Sequence, residues 1–297
     1  MDVREKSYSG WSEMTLKEQL DNLFKPRSVA LVGASSTLGK WGFNILTLLL
    51  SEKGREIYAV NKHEAEVLGL KAYPSILEVP ASVDLAIITV PFQDVPATMG
   101  ECIRKGVKSA VVISGGLAES GEEGARVQDQ LVEVARRGGI RFVGPNCMGI
   151  FDVSSDFNTV IFLPPLRKGP VALISQSGNS GQSIITIGIE RGLGFSKYVS
   201  SGNEADLHLE GYLEYLAQDD ETKVILGYIE GLREGQRFFE LAKEITKKKP
   251  IVVVKAGRTQ GGAKAARSYT AALAGSDLIT DAALRLRTDA ARRGIGH

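Results

Sequence analysis

Residues Val29-Ala30-Leu31-Val32-Gly33-Ala34-Ser35-Ser36-Thr37-Leu38-Gly39-Lys40-Trp41-Gly42 decide the fold. The opening apolar run does not alternate with polar residues, so it reads as a strand buried on both faces, as in parallel sheets. The run breaks at Gly33 into a turn of small residues and resumes as the helix-like stretch 41–51. A strand that turns through glycine into a helix opens a βα unit. Backbone N–H groups in such a turn, with the helix dipole behind them, suit a phosphate. A merely tight turn is the alternative. The spacing is not G-x-G-x-x-G. It is not a P-loop either: five residues separate Gly33 from Gly39, and Trp41 stands where Ser or Thr would bind magnesium.

The same alternation extends outward along the chain. Short Val/Ile-rich runs at 28–32, 56–60, 83–90, 108–114 and 140–143 form one strand series, and 170–174, 195–200, 223–229 and 250–255 a second. Helical patterns lie between them at 41–51, 119–137, 180–190, 209–216 and 236–247. Alternating βα units predict an α/β protein with doubly wound parallel sheets. The stretch Leu163-Pro164-Pro165-Leu166-Arg167-Lys168-Gly169 is the expected boundary between two halves. Val171-Ala172-Leu173-Ile174-Ser175-Gln176-Ser177 echoes Val29 to Ser35, which places a second small-residue turn at a strand end.

A length of 297 residues fits about two domains. Lys+Arg 36 against Asp+Glu 35 leaves a net charge of +1, too little surplus for a nucleic-acid binder. The first residues carry no apolar signal core, and no apolar stretch near them approaches a membrane span. Two cysteines, Cys102 and Cys147, form no disulfide framework, so free thiols in a reducing cytoplasm are expected. With three histidines and no His/Cys spacing for a metal, none is expected. The 33 glycines, about 11% against an average near 7%, point to many tight turns and to backbone that approaches a ligand.

The end of the second strand separates cofactors. NAD binding wants Asp or Glu there for the ribose hydroxyls. This chain has Asn61-Lys62, and a lysine suits a phosphorylated ribose, as in NADP or the 3′-phosphate of coenzyme A. A solvated lysine is the alternative for that residue alone.

Several segments match a known pattern in order: 25–35, Gly144-Pro145-Asn146-Cys147-Met148-Gly149, Ile174-Ser175-Gln176-Ser177-Gly178, Ser200-Ser201-Gly202-Asn203-Glu204-Ala205-Asp206 and Ala272-Leu273-Ala274-Gly275-Ser276-Asp277. On these the chain resembles the α subunit or region of nucleoside-diphosphate-forming acyl-CoA synthetases, the ADP-forming acetyl-CoA synthetase type related to succinyl-CoA synthetase. The resemblance covers about residues 20–285. It implies an N-terminal extension 1–24, a Rossmann-like CoA-binding domain 25–165, a flavodoxin-like domain 166–285 and an atypical tail 286–297. It implies that Gly33, Ser35, Ser36, Gly39, Lys40, Asn61 and Lys62 hold CoA phosphates. Val90, Pro91, Ser114, Gly115 and Gly116 would line the rest of the path, with Asn146 and Cys147 near the thiol. A plain buried thiol is the alternative for Cys147.

Family chemistry passes phosphate from an acyl phosphate to a histidine on the α chain and then to ADP on an ATP-grasp module. The resemblance makes Ser175, Ser177 and Gly178 hydrogen-bond donors to the phosphate and Glu230 the carboxylate that orients the histidine. Tyr269, in Arg267-Ser268-Tyr269-Thr270-Ala271, stands at the histidine's place. A phenol with a pKa near 10 is hardly ionised at neutral pH, and a tyrosyl phosphate is a far poorer donor than a phosphoramidate. The length leaves no room for an ATP-grasp module of ~200 residues beside two such domains. Three readings follow. One is a CoA-binding α-type component working with a separate ATP-grasp β-type chain and with further copies of itself. The second is a non-catalytic CoA- or acyl-CoA-binding regulatory protein. The third is an NADP-dependent oxidoreductase, which the missing G-x-G-x-x-G disfavours.

Overall fold

The computed structural model describes residues 15–52 and 54–256. The run quoted first forms β1 (Ser28–Val32), buried at every position. With it come α1 (Leu16–Phe24), α2 (Trp41–Ser51), β2 (Glu56–Val60), β3 (Glu66–Val67), β4 (Leu70–Tyr73), β5 (Leu85–Ile88), α3 (Val95–Lys105), β6 (Ser109–Val112), α4 (Glu122–Gly138) and β7 (Arg141–Val143). The strands make one sheet in the order β3-β4-β2-β1-β5-β6-β7. All run parallel except β3, which pairs antiparallel with β4. The chain leaves β1 toward β2 on one side and returns to β5 on the other. Ligands of open α/β sheets bind at such a reversal, outside the carboxyl ends of the strands.

The second sheet takes β8 (Ile150–Asp152), β9 (Phe157–Asn158), β10 (Lys168–Ser175), β11 (Phe195–Ser200), β12 (Val224–Ile229) and β13 (Ile251–Lys255), with α5 (Gly178–Glu190), α6 (Leu209–Ala217) and α7 (Gly235–Ile245) between the later strands. Its order is β13-β12-β10-β11-β8-β9. The four strands β10 to β13 are parallel in a flavodoxin-like order, and the reversal lies between β10 and β12. The short β8 and β9 run antiparallel at the other edge. Lys197 on β11, buried at 1% exposure, fastens that edge by ion pairs to Asp152 at 3.3 Å and Asp219 at 3.0 Å.

Alternating burial sorts the helices into layers. Met99 and Cys102 of α3 and Leu131 and Ala135 of α4 pack on one face of the first sheet. A single apolar cluster takes Leu31 and Ile87 from the first sheet and Ile174 and Ile225 from the second, together with Leu20, Leu46, Leu213 and Phe238 from α1, α2, α6 and α7. Helix α5 covers the remaining face through Ile185.

The expected strands are present: 28–32, 56–60 and 195–200 match to the residue, 170–174 lengthens to 168–175, and the others are trimmed at their ends. Thr89 and Val90 fall beyond β5, and Ile113 and Ser114 beyond β6, so the residues assigned to the site sit past the ladders. Three features differ from expectation. Part of the expected extension 1–24 is helix α1, opened by a capping box between Thr15 and Glu18 and closed by Phe24, which stacks on Tyr215 at 5.1 Å. Helix α3, between Pro96 near its start and left-handed Gly106 at its end, was not anticipated. The chain changes sheets between Val143 and Ile150, ahead of the stretch 163–169, because the two- and three-residue strands β8 and β9 join the second sheet.

Candidate functional site

Glycine sets the first turn. Gly33 leaves β1 at φ +95°, and a Cβ there would lie 2.5 Å from Thr89 Oγ1. That hydroxyl donates to the carbonyls of Val32 and Gly33, joining the carboxyl ends of β1 and β5. Gly42, in the first turn of α2, brings the helix onto the strand end so closely that a Cβ would overlap Gly33 O. Ser35 is buried and accepts Thr37 N–H at 3.1 Å. Ser36, Gly39 and Lys40 are exposed along the rim. Lys40 occupies the N-cap position of α2 and offers no side-chain acceptor; its carbonyl takes the N–H groups of Phe43 and Asn44, and no side chain caps the first turn.

Past β2, Asn61 is a pin. Its amide donates to Ala34 O at 2.7 Å, and its carbonyl oxygen accepts the N–H groups of His63 and Glu64. This local turn carries Glu64 back over the first loop, where its carboxylate accepts Ser36 N–H at 3.3 Å and the Asn61 amide at 3.1 Å. Hydrogen bonding by Ser36 holds the Glu64 carboxyl below the usual carboxylate range. Lys62 is two-thirds exposed and pairs with Asp94 at 3.9 Å.

Past β6, Ser114 donates its hydroxyl to Val90 O at 2.6 Å, and Pro91 follows on the exposed rim. Gly115 is exposed, and Gly116 adopts φ +92° against Phe92. Glu119 folds back to accept Gly116 N–H at 2.6 Å; it lies in a short 3-10 turn, 118–120, that Gly121 at φ +115° separates from α4. Its second oxygen accepts from Asn203 Nδ2 at 2.6 Å. Asn203, 2% exposed, also donates to Gln128 and receives Asn146 Nδ2, and its carbonyl accepts Arg233 Nη2. Asn203 thus joins the β6–α4 loop and the 144–149 loop through its side-chain amide and the loop after β12 through its backbone carbonyl. Cys147 is buried beside it, with its thiol on Val112 O and burial pushing the thiol up to about 12.

The second reversal lies at the ends of β10 and β12. Ser175 is fully buried and gives its hydroxyl to Ser177 O, whereas Ser177 caps α5 by accepting Ser180 N–H. Gly178 has no room for a Cβ because Met148 lies against it. Gln176 is the hub: its oxygen accepts the N–H groups of Glu230 and Gly231, and its nitrogen donates to Gly231 O and Glu204. Glu204 is buried, and burial pushes its carboxyl up to about 7. Gln176, Asn203, Glu204, Gly231 and Arg233 line a cleft of about 220 Å³. Glu230, 7% exposed, directly precedes the lining residue Gly231 in the chain.

The two reversals are therefore connected. Gly33 touches the end of β5, that end is bonded to Ser114, Ser114 O accepts Asn146 N–H, and the same loop reaches Gly178 through Met148. Of the residues named from sequence, Ser36, Gly39, Lys40, Lys62, Pro91 and Gly115 present themselves to solvent. The side chains of Ser35, Asn61, Cys147 and Ser175 are engaged inside the protein. Tyr269 lies outside the described residues. Sequence reading missed Glu64, Glu119 and Gln176. Glu64 had a signal as an acid near the end of the second strand, three residues later than the pattern demands, and Gln176 lies in the second small-residue turn; Glu119 had none. Among the described residues no cluster of His, Cys, Asp and Glu suits a metal ion, and no helix is long and apolar enough to cross a membrane.

Comparison with known proteins follows the division into two sheets. Residues 27–152 match a CoA binding domain, and residues 168–288 match a succinyl-CoA ligase like flavodoxin domain. The chain is 47% identical over 266 residues to the α subunit of acetate–CoA ligase [ADP-forming] II of Pyrococcus furiosus, covering 90% of this chain and 58% of that one. It is 37% identical to 4-hydroxybutyrate–CoA ligase [ADP-forming] of Nitrosopumilus maritimus, over 89% of this chain and 38% of that protein. A solved acetyl-coenzyme A synthetase 1 of Ca. Korarchaeum cryptofilum, in complex with phosphate and ADP, superposes with a TM-score of 0.83 at 39% identity, over 89% of this chain and 57% of that one. The chain thus spans less than two thirds of the length of these relatives.

Proposed function

The chain belongs by homology with the α subunits of ADP-forming acetate–CoA ligases, and from that premise we propose that it is the CoA-binding α-type component of an ADP-forming acyl-CoA synthetase. The reaction served is acyl-CoA, phosphate and ADP giving acid, CoA and ATP. The observation that carries this reading is the bonded path from the first reversal to the second, with Asn203 at its centre. A thioester held at the first sheet and a phosphate handled at the second must meet, and this loop cluster is where the two strand-end sites join.

In this assignment the turn from Gly33 to Lys40 and the start of α2 take the CoA diphosphate, and Lys62 takes the 3′-phosphate. Val90, Pro91, Ser114, Gly115 and Gly116 line the pantetheine path toward Asn146. Asn61, Cys147 and Ser175 act through the loops they hold. Ser177 and Gly178, at the start of α5, receive the phosphate, and Glu230 faces the group that carries it. Domain limits at 25–165 and 166–285 belong to this proposal, with the strands β8 and β9 of the first stretch lent to the second sheet, as do work in the cytoplasm, a separate ATP-grasp β-type partner and self-association.

Tyr269 at the phosphohistidine position favours a second reading, a CoA- or acyl-CoA-binding protein that does not complete the phosphate relay. Incubation with labelled ATP and an ATP-grasp β chain separates the two. The second reading expects no acid-labile phosphate on the wild-type chain and its appearance in Tyr269→His. Acid-labile label on the wild-type chain would favour a working relay through another residue.

A further inference from the structure

Both cationic positions assigned to CoA phosphates already face a carboxylate of the same chain. Glu64 accepts the Ser36 N–H and lies within the field of Lys40, and Asp94 pairs with Lys62 at 3.9 Å. The two acids are placed there by separate devices. Glu64 is delivered by the Asn61 turn, which fixes the backbone N–H groups of 63 and 64. Asp94 ends the short turn after Pro91, where its N–H donates to Pro91 O at 2.9 Å. Neither acid is locked in by packing: Lys40 and Lys62 are exposed, and Glu64 and Asp94 are half-buried with solvent on one side. A carboxylate at a helix start or on a lysine satisfies the same donors as a phosphate.

We infer that Glu64 and Asp94 are built-in anionic stand-ins, which the diphosphate and the 3′-phosphate of CoA displace when they bind. The inference rests on the CoA reading above and adds to it a means of setting affinity and selectivity. A ligand must bring an anion to each position to exchange for the one it removes. A nucleotide lacking one phosphate leaves that acid in place and gains nothing there. The exchange also tempers the salt dependence of binding, because each phosphate replaces a charge already paired.

The test is calorimetric titration of the wild type, Glu64→Ala and Asp94→Asn with CoA and with dephospho-CoA, circular dichroism serving to verify the fold of each variant. Removing one exposed competing charge should tighten binding about fivefold. Glu64→Ala should show that gain with both ligands, because both carry the diphosphate. Asp94→Asn should show it with CoA and lose it with dephospho-CoA. Weaker binding by Glu64→Ala would mean that Glu64 contacts the ligand itself, and unchanged binding would make it a bystander; either overturns the inference. If the wild type and both folded variants bind no CoA, the CoA reading fails and this inference falls with it.

Discussion

Gly42 and Gly39 stand three residues apart, yet their substitutions carry opposite weights. A Cβ on Gly42 would overlap the carbonyl of Gly33, whereas Gly39 has nothing within 4 Å and only its φ of +86° to protect. Gly42→Ala is therefore expected to cost about 3 kcal/mol or more and Gly39→Ala about 1 kcal/mol in urea unfolding, since overlap with backbone cannot relax as a loop dihedral can. Glu204 makes a second prediction. Its carboxyl is pushed from 4.5 to about 7 by burial, so between those values the folded chain holds a proton that the unfolded chain has released. Stability due to this group therefore falls as pH rises through that window. The urea midpoint should drop further between pH 5 and pH 8 in the wild type than in Glu204→Gln, and equal drops would contradict the assignment. Gly33 and Lys62 were legible in the sequence because local spacing alone sets a turn and a strand end. Glu119 and Asn203 were not, because their hydrogen bond joins residues 84 positions apart.

Elements that bury one apolar run each were readable, and those defined by a partner were not. β1, β10 and β12 announce themselves as Val/Ile-rich runs, but β8 and β9 have two or three residues and exist only because β11 offers an edge. That edge depends on Lys197, so Lys197→Met, which leaves Asp152 and Asp219 buried without their cation, should destabilise the protein by about 3–5 kcal/mol. A loss below 1 kcal/mol would show that the clamp matters little. Helix α1 is the opposite case: Thr15 three residues before Glu18 is a capping signature that the sequence does display. Thr15→Ala should cost about 1 kcal/mol in chemical denaturation.

At the scale of the molecule, one apolar cluster draws on both sheets, and the buried Arg141–Asp206 ion pair at 2.9 Å links the last strand of the first sheet to the loop after β11. The sequence suggested two halves from its strand series; the shared core depends on which faces meet, which no local pattern encodes. This packing predicts coincident urea transitions for far-ultraviolet dichroism and for Trp41 fluorescence in a Trp11→Phe background, and two separated transitions would show that the halves unfold independently. The account rests above all on the ligand of the first sheet. The most direct measurement is calorimetric titration of the purified chain with CoA and, in the same buffer, with NADP. The account predicts binding of CoA that Lys62→Ala weakens about tenfold, a loss typical of a charge-assisted contact, and no binding of NADP. Binding of NADP in place of CoA would contradict it.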